Sequence, residues 1–427
     1  MSSGTHQLKL LTSHVPLHSF EAFPYGHYEC SPAAETAMYY GFTPVKALRS
    51  TDIEPEVKKV IADQPHLLTG QNRERQLFNF LEKAQIIKMY RQNRIPELPH
   101  PLLLFYEKPL AKVQHTDDTF RHHCSLECVG AKGAVAEALI IQTSYAILEE
   151  EGLSNLTIEI NSTGDAESRH RFEAALHQYI RSHLSVMPEQ MREACRKNPY
   201  ALFSFNDAFA EQLQEEAPQP IAYLSESSRK HFCEVLEYLE ALGLPYYINS
   251  SLLARKNLQS HTIFRILNSE PTAVNSAKDS GSKQKNELVS GYGMRYTPIA
   301  RPLGFRREVP AVGAYLVYKT SLSSKRRSRK SKIRPRFSYV HLGFEAKLKS
   351  LQVIDMLRRK RIPLHHSLTK DRLSSQISAA DRLSLPYLII MGQKEALEDT
   401  VLIRNLQDRS QQTVPIKKLP YYLKTLK

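Results

Sequence analysis

The chain has 427 residues, 41% of them hydrophobic and 24% charged, a balance typical of a soluble globular protein with two or three domains. Its 58 lysines and arginines exceed its 44 acidic residues, and the resulting net charge of +14 favours either a polyanionic partner such as nucleic acid or a solubilising surface. The five scattered cysteines do not resemble a disulfide framework, and we find neither a secretory signal pattern nor an apolar run that could span a bilayer, so we expect a cytoplasmic protein without a membrane role.

Hydrophobic periodicity predicts the elements between residues 131 and 243. Residues 131–151 carry an apolar stripe at helical spacing, and "LTIEI" at 156–160 alternates as a strand before the turn "NSTGD". A second helix begins at "SESS" and ends before Gly243. Residues 165–218, between these elements, have the pattern of short polar helices. We therefore predict a small helical insertion there.

Two segments without apolar periodicity interrupt the second half of the chain. Residues 269–287 are rich in small polar residues and are predicted to form a flexible loop. Residues 319–336 carry nine positive charges in eighteen positions, and mutual repulsion predicts a basic linker at 321–336. Beyond it, strands alternate with helices, which predicts a compact α/β domain at 337–427 and leaves residues 1–320 as the core.

The stretch "TFRHHCSLEC" at residues 119–128 suggests a metal site. If it is a strand, Arg121, His123, Ser125 and Glu127 share one face and the cysteines lie on the other. Zinc ligands normally converge from two short loops, so we favour a buried strand, with a metal site as the alternative. By the same reasoning, we expect His365 and His366 on the surface and not as metal ligands.

Several segments, in order, resemble the histidine–tRNA ligases, which are class II aminoacyl-tRNA synthetases. They are "IEINSTGDAESRHRFEAAL", "CRKNPYALF", "APQPIAYLSESSRKHFCEVLEYLEALGLPYYI" and "SLTKDRLSSQISAADRLSLPYLIIMGQKEALEDTVLIRNL". The resemblance covers roughly residues 95–268 and 290–427. It implies an α/β fold class (an α+β core): a class II antiparallel sheet flanked by helices, followed by a C-terminal α/β anticodon-binding-type domain. It also implies a homodimer that activates histidine with ATP and magnesium and transfers it to tRNA.

The catalytic motifs of that family are poorly matched. Where the family has Leu-Arg-Pro-Glu-Gly-Thr, this chain has "FNFLEKA", which places Leu81 and Lys83 at the glutamate and threonine that hold the amino acid. Where the second class motif has Phe-Arg-x-Glu, "PLAKVQ" offers Lys112 and Gln114, and lysine cannot reproduce a bidentate guanidinium fork. The histidine-specific arginine and aspartate, and the ATP-clamping arginine, fall on other residue types: Ala254, Asn257 and Thr320.

Part of the pocket pattern remains. Glu127 coincides with the pocket glutamate of the family, and His123 lies where the family has glutamine. Arg295 and Tyr296 match two positions of a Gly-Gly-Arg-Tyr-Asp pattern. The predicted pocket positions are therefore Lys112, Gln114, His123, Glu127, Arg295 and Tyr296. Each lost charge donor lowers the rate ~100- to 1000-fold, so we assign no catalytic residue or metal ligand, and ATP and magnesium only if ligation persists.

The position of the basic linker, before an anticodon-type domain, predicts RNA contact; a solvated tether is the alternative. The predicted RNA-binding residues are Lys325, Arg326, Arg327, Arg329, Lys330 and Lys332, with Lys370, Arg372 and Gln376 around a predicted helix at 371–382. We favour an impaired ligase homologue that binds tRNA or other RNA. The alternatives are a divergent active ligase and a regulatory subunit similar to the synthetase-like activator of ATP phosphoribosyltransferase, which generally lacks the C-terminal domain.

Overall fold

The computed structural model describes residues 27–63, 73–92, 100–112, 119–205, 207–253, 258–269, 287–321, 329–332 and 335–426. Within these ranges the strands form an eight-stranded sheet, a five-stranded sheet and a two-stranded pair. None of the helices described there is long and apolar enough to cross a membrane. The predicted loop at 269–287 lies almost wholly outside the described residues.

The eight-stranded sheet forms the core, in the order β2-β3-β4-β9-β8-β7-β5-β6. Its six inner strands are antiparallel to their neighbours, whereas the short edge strands β2 and β6 pair in parallel. The strands are β2 (Thr43–Pro44), β3 (Leu102–Lys112), β4 (Thr119–Val129), β5 (Leu156–Ser162), β6 (Tyr246–Ile248), β7 (Ser260–Ser269), β8 (Glu287–Arg295) and β9 (Ala311–Ser321). The predicted antiparallel class II sheet is confirmed.

Helices cover both faces of this sheet because its strands alternate apolar side chains between two cores. The side chains of Cys124 and Leu126 on β4 pack with one group of helices, and those of Leu104 and Tyr106 on β3 pack with the other. The first group is α1 (Pro32–Tyr39), α4 (Val135–Glu150) and α8 (Glu226–Ala241); the second is α2 (Pro55–Ala62) and α3 (Arg73–Arg91). Ser225 caps α8 by accepting a hydrogen bond from the Ser228 amide, as the sequence predicted.

The insertion between β5 and α8 is helical and has its own small core. It contains α5 (Ala166–His183), α6 (Glu189–Lys197) and α7 (Ala208–Glu216). Apolar side chains that include Phe172, Met191 and Leu213 pack together inside it. With 18 residues, α5 is longer than the short helices that we predicted. Asp165 caps its first turn at the "NSTGD" turn by accepting a hydrogen bond from the Ser168 amide.

The C-terminal region is built on the five-stranded sheet, in the order β12-β11-β13-β14-β15, with β12, β11 and β13 parallel. The strands are β11 (Phe337–His341), β12 (Leu364–His366), β13 (Tyr387–Met391), β14 (Thr400–Asn405) and β15 (Gln411–Pro415). The helices are α9 (Phe344–Arg359), α10 (Leu373–Arg382), α11 (Gln393–Leu397) and α12 (Leu419–Thr425). The predicted α/β character of this region is confirmed.

The prediction that His365 and His366 lie on the surface is wrong. Both belong to β12, where the parallel pairing with β11 draws them inward. His366 is 7% exposed, and its Nε2 atom lies 2.9 Å from the Tyr40 carbonyl oxygen. His365 contacts the Ser338 hydroxyl through Nδ1 at 2.9 Å. Burial lowers the pKa of His366 to about 4, so the ring is neutral at pH 7.

Part of the segment predicted as a basic linker is a strand. Residues 329–332 form β10 (Arg329–Lys332), which pairs antiparallel with β1 (His27–Cys30). The backbone of the basic segment is therefore fixed at one point by hydrogen bonds to a strand from the other end of the chain. Lys325, Arg326 and Arg327 lie outside the described residues.

The helix α9 joins the C-terminal region to the core. Its buried leucines, Leu351 and Leu357, belong to the same apolar cluster as Leu139 of α4. Arg358 is 5% exposed and donates hydrogen bonds to Asp355 and, across the interface, to Glu150 at 2.7 Å. The two regions therefore share one continuous apolar core and an ionic contact in which Arg358 is buried and Glu150 is 45% exposed.

Candidate functional site

The strand β4 presents its polar residues to one side and its cysteines to the other. Cys124 and Cys128 are buried in the apolar core beneath α4, and burial raises the pKa of Cys128 to about 12. The side chains of His123 and Glu127 contact residues on the opposite side of the sheet. Among the described residues, no group of three or more His, Cys, Asp and Glu side chains is arranged to hold a metal ion. The "TFRHHCSLEC" stretch is thus a strand with one face in the apolar core and a polar face on the side where we predicted the amino-acid pocket.

At the bottom of the pocket, Glu127 forms an ion pair with Lys83 of α3, and both side chains are 0% exposed. The Lys83 ammonium contacts the Oε1 atom of Glu127, to which the Tyr106 hydroxyl also donates at 3.3 Å. The Tyr296 hydroxyl donates to Oε2 at 2.8 Å, and the Lys83 ammonium lies 5.0 Å from the centre of the Tyr296 ring. Both carboxylate oxygens of Glu127 therefore have partners from within the protein.

Gly313 on β9 leaves the room that this arrangement needs. A Cβ atom at this position would lie 1.9 Å from the Oε2 atom of Glu127 and 2.8 Å from the Lys83 ammonium. Gly313 is directly opposite Glu127 in the pairing of β4 with β9. The glycine in the "AVG" sequence is thus required for the close approach of the carboxylate to the β9 backbone.

A second acid and lysine pair lies beside the first. The side chain of Glu82, which follows Leu81 on α3, is 0% exposed and forms an ion pair with Lys108 of β3 at 2.7 Å. Burial raises the pKa of Glu82 to about 7, against the opposing effects of Lys108 and Lys83. Sequence reasoning missed Glu82 because the family register places Leu81 at the acidic position, one residue away.

The outer part of the pocket wall is aromatic. The Nδ1 atom of His123 makes a close hydrogen bond with the Tyr315 hydroxyl, and the two rings stack at 5.6 Å. The Lys108 ammonium lies 5.0 Å from the centre of the Tyr315 ring, a cation–π contact. Lys108 and Tyr315 therefore link the acidic centre to the aromatic rim.

Arg295 belongs to a separate buried cluster. Its guanidinium donates two hydrogen bonds to the Glu137 carboxylate, at 2.6 and 2.5 Å, and others to backbone carbonyls. His231 also contacts Glu137, at 2.7 Å, and its ring is 5.0 Å from that of His261. Arg295 and His231 hold the pKa of Glu137 well below its usual range, although burial alone would raise it. The Arg295 guanidinium thus donates its hydrogen bonds to Glu137 of α4 and to the backbone just before that helix.

The structure brings together only some of the predicted pocket residues. Glu127 and Tyr296 are in direct contact, and His123 lies farther along the same face of β4. Lys112 is the last residue of β3, and Thr320 lies near the end of β9; the side chains of both are outside the described set. Gln114 lies in a range that is not described. Ala254 and Asn257 also fall outside the described residues.

The N-terminal ends of α9 and α10 lie side by side in the C-terminal region, because Lys347 of α9 forms an ion pair with Asp371. Arg372 is exposed and Lys370 is half-buried at this end. Nearby, Phe344 is 40% and Leu373 is 38% exposed, so the end of the domain combines basic and apolar side chains.

The structure does not support RNA contact by Gln376. This side chain is 1% exposed, and its amide makes two hydrogen bonds of 3.0 Å with the backbone of His341. Both ends of the amide group therefore join α10 to β11. Gln376 satisfies buried backbone groups, which explains its place in the domain pattern without any contact to RNA.

Comparisons with known proteins find similar sequences and structures. A family model described as "Anticodon binding domain" matches residues 340–426. A histidine–tRNA ligase of Thermosynechococcus vestitus is 27% identical over 299 residues, which are 70% of this chain and 67% of that protein. Another from a Cyanothece species is 27% identical over 77% of this chain and 72% of its own length. The crystal structure of apo Staphylococcus aureus histidyl-tRNA synthetase aligns over 92% of this chain and 93% of its own with 18% identity and a TM-score of 0.46.

The antiparallel core sheet, the acidic pocket and the C-terminal domain define a class II aminoacyl-tRNA synthetase-like protein. Within that class, the chain is similar in sequence to the histidine–tRNA ligases.

Proposed function

We propose that this protein is a histidine–tRNA ligase homologue that binds tRNA or another RNA but activates histidine poorly or not at all. The observation that carries this proposal is the Lys83–Glu127 ion pair, which is fully buried where we predicted the amino-acid pocket. Lys83 lies where the family resemblance places the threonine that holds the amino acid.

An amino-acid substrate brings its own positive charge. In this pocket the two buried carboxylates, Glu127 and Glu82, are already neutralised by Lys83 and Lys108. A substrate ammonium would have to displace a lysine or lie beside it, and like charges at short range inside a protein repel each other by several kcal/mol (~4 kcal/mol at 4 Å with an effective dielectric constant near 20). The pocket therefore disfavours the cationic group that a ligase must bind first.

Phosphate binding is weakened in a similar way. Arg295 is the arginine that survives from the family pattern, and both of its donor edges face Glu137 and backbone carbonyls. A guanidinium that already has a bidentate carboxylate partner cannot also clamp the α-phosphate of ATP. The unmatched motif positions, Ala254 and Thr320, provide no replacement charge.

RNA binding is supported by the C-terminal domain and by charge. Residues 340–426 match the anticodon-binding model, and the net charge of the chain is +14. The basic segment that precedes this domain supplies the charge for phosphate contacts, which dominate the affinity of proteins for nucleic acids. We also propose that the boundary between the core and the C-terminal domain lies within residues 321–336 and that the protein is cytoplasmic. We propose further that it is a homodimer, which sedimentation of the full chain would test.

RNA binding can be tested by fluorescence anisotropy with labelled tRNA and the full-length protein. We expect a triple variant of the basic segment, Lys325→Gln, Arg326→Gln and Arg327→Gln, to lose affinity and to have a salt dependence smaller by about 2 to 3 in slope, depending on the strandedness of the contacted RNA. The matched control removes three exposed charges from the core: Lys46→Gln, Lys58→Gln and Lys59→Gln. Equal effects of the two triple variants would contradict a specific role for the basic segment.

A divergent active ligase is the second candidate, and one observation favours it. Glu82 supplies a buried carboxylate next to Glu127, so the acidic character of the pocket is greater than the family register predicted. If histidine displaced Lys83 and Lys108, two acceptors would become available. Histidine-dependent exchange of pyrophosphate into ATP separates this candidate from the first.

A further inference from the structure

The last helix of the chain carries an exposed aromatic side chain among lysines. Tyr421 on α12 is 79% exposed, the largest exposed fraction among the large hydrophobic side chains of the described residues. The neighbouring side chains of Leu419 and Leu423 are 0% and 3% exposed, so the helix is already anchored without the Tyr421 ring. The ring therefore contributes little to folding and is available for a partner.

The charged residues that lie near Tyr421 in the sequence are all lysines. Lys424 lies three residues after Tyr421, a spacing that places the two side chains on one side of a helix, and Lys417 and Lys418 lie in the short 3-10 turn that precedes α12. All three lysines are exposed, and residues 411–426 contain no aspartate or glutamate. Asp399, a carboxylate that Lys417 faces, is already paired with Lys349.

The helix α12 is held firmly on the C-terminal domain. The hydroxyl of the next tyrosine, Tyr422, donates a 2.6 Å hydrogen bond to Gln412 of β15, and the Leu426 carbonyl accepts one of 2.8 Å from Arg336. These contacts hold the middle and the C-terminal end of α12 on the domain. Beside the helix, the edge strand β15 exposes uncharged polar residues that include Gln411 and Thr413. A ring held in this way loses little conformational entropy when a planar group stacks on it.

We propose that Tyr421, with Lys417, Lys418 and Lys424, forms a stacking site for an unpaired base of single-stranded RNA. Aromatic rings bordered by lysines are the usual means of binding unpaired nucleotides, because any base can stack and the lysines neutralise the backbone. Exposure of an aromatic ring alone would not suffice. Tyr247 is 42% exposed, but its hydroxyl donates to Glu159, and residues 244–250 contain no lysine or arginine. The proposal rests on the proposed RNA binding and assigns a surface to it.

The test uses the full-length protein, a labelled single-stranded 12-nucleotide RNA and the same RNA annealed to its complement. We expect Tyr421→Ala to weaken binding of the single strand about tenfold and Tyr421→Phe to change it by less than about twofold. Binding of the duplex, whose bases are already stacked, should not depend on Tyr421. Replacing Lys417 and Lys418 by Gln should lower the salt slope for the single strand by about 1.4. Tyr247→Ala is the matched control.

Each outcome decides the proposal. A selective loss of single-strand affinity in Tyr421→Ala, with normal behaviour of Tyr247→Ala, supports it. Wild-type affinity in Tyr421→Ala, or an equal loss for single strand and duplex, overturns the stacking site while RNA binding by the protein stands. If the wild-type protein binds neither these RNAs nor tRNA, the proposed RNA binding fails, and the stacking site fails with it.

Discussion

Lys83 and Glu127 come from different elements, α3 and β4, and form an ion pair from which water is fully excluded. Taking both charges out of water is unfavourable, and their attraction offsets this only while both partners are present. Separating the pair while the protein stays folded is therefore unfavourable.

We predict that Lys83→Met destabilises the protein by about 3–5 kcal/mol, because Glu127 would then be a buried charge without a cationic partner. The double variant Lys83→Met with Glu127→Leu should recover most of this loss, since an apolar pair needs no compensation. Urea unfolding of the two variants and the wild type measures the difference. A neutral Lys83→Met substitution would show that the ion pair does not form in solution.

Gly313→Ala should destabilise the protein by about 1–3 kcal/mol, because the new Cβ atom would lie 1.9 Å from the Glu127 carboxylate and the pair would have to move. Gly133→Ala is the control, because a Cβ atom there would have no atom of the described residues within 4 Å apart from its chain neighbours. Thermal unfolding should show a clear decrease for the first variant and almost none for the second. Similar shifts for both would mean that the pocket tolerates displacement of Glu127.

The buried carboxyl of Glu82 predicts a pH dependence of stability. Its pKa is about 7 in the folded protein and ~4.3 in an unfolded chain, so the folded state binds the proton more tightly between these values. Stability from this group is therefore lost as the pH rises from about 5 to about 8. Relative to Glu82→Gln, the wild type should lose up to about 3 kcal/mol over this interval in denaturant unfolding. Parallel pH curves for the two proteins would contradict a raised pKa.

Two arginines on the same side of the C-terminal region test the ionic contact with the core. Arg358 is buried and contacts Glu150, whereas the Arg361 side chain is 56% exposed in its pair with Glu35. We expect Arg358→Met to cost about 3 kcal/mol, because it leaves Asp355 half-paired at the interface, and Arg361→Met to cost less than about 1 kcal/mol. Hydrogen exchange at the α4–α9 contact would detect the loosening. Equal protection in the two variants would argue against this role of Arg358.

Sequence patterns predicted the regular elements well wherever the periodicity was long. The helix predicted at 131–151 is α4, and the strand "LTIEI" is most of β5. The three-residue strand β12 was missed because so short a segment has no detectable period, and the burial of His366 depends on Tyr40, 326 residues away in sequence. Local sequence does not contain such long-range contacts.

The sequence predicted the general position of the site but not which side chains of the protein fill it. The alternation along β4 correctly separated Glu127 from the cysteines. The register also identified Lys83 as a departure from the family, but only the packing of α3 on the sheet shows that its ammonium reaches Glu127. Gln376 illustrates the reverse case, because a residue that follows the family pattern serves the backbone of its own domain.

The most direct test of the account is histidine-dependent ATP–pyrophosphate exchange by the full-length protein, with correct folding verified by circular dichroism. Because Lys83 and Lys108 neutralise the pocket carboxylates, and Arg295 is bound to Glu137, we predict exchange equal to or only slightly faster than that in reactions without histidine. Exchange at the ~1–1000 per second typical of enzymes would contradict the account and identify a divergent active ligase.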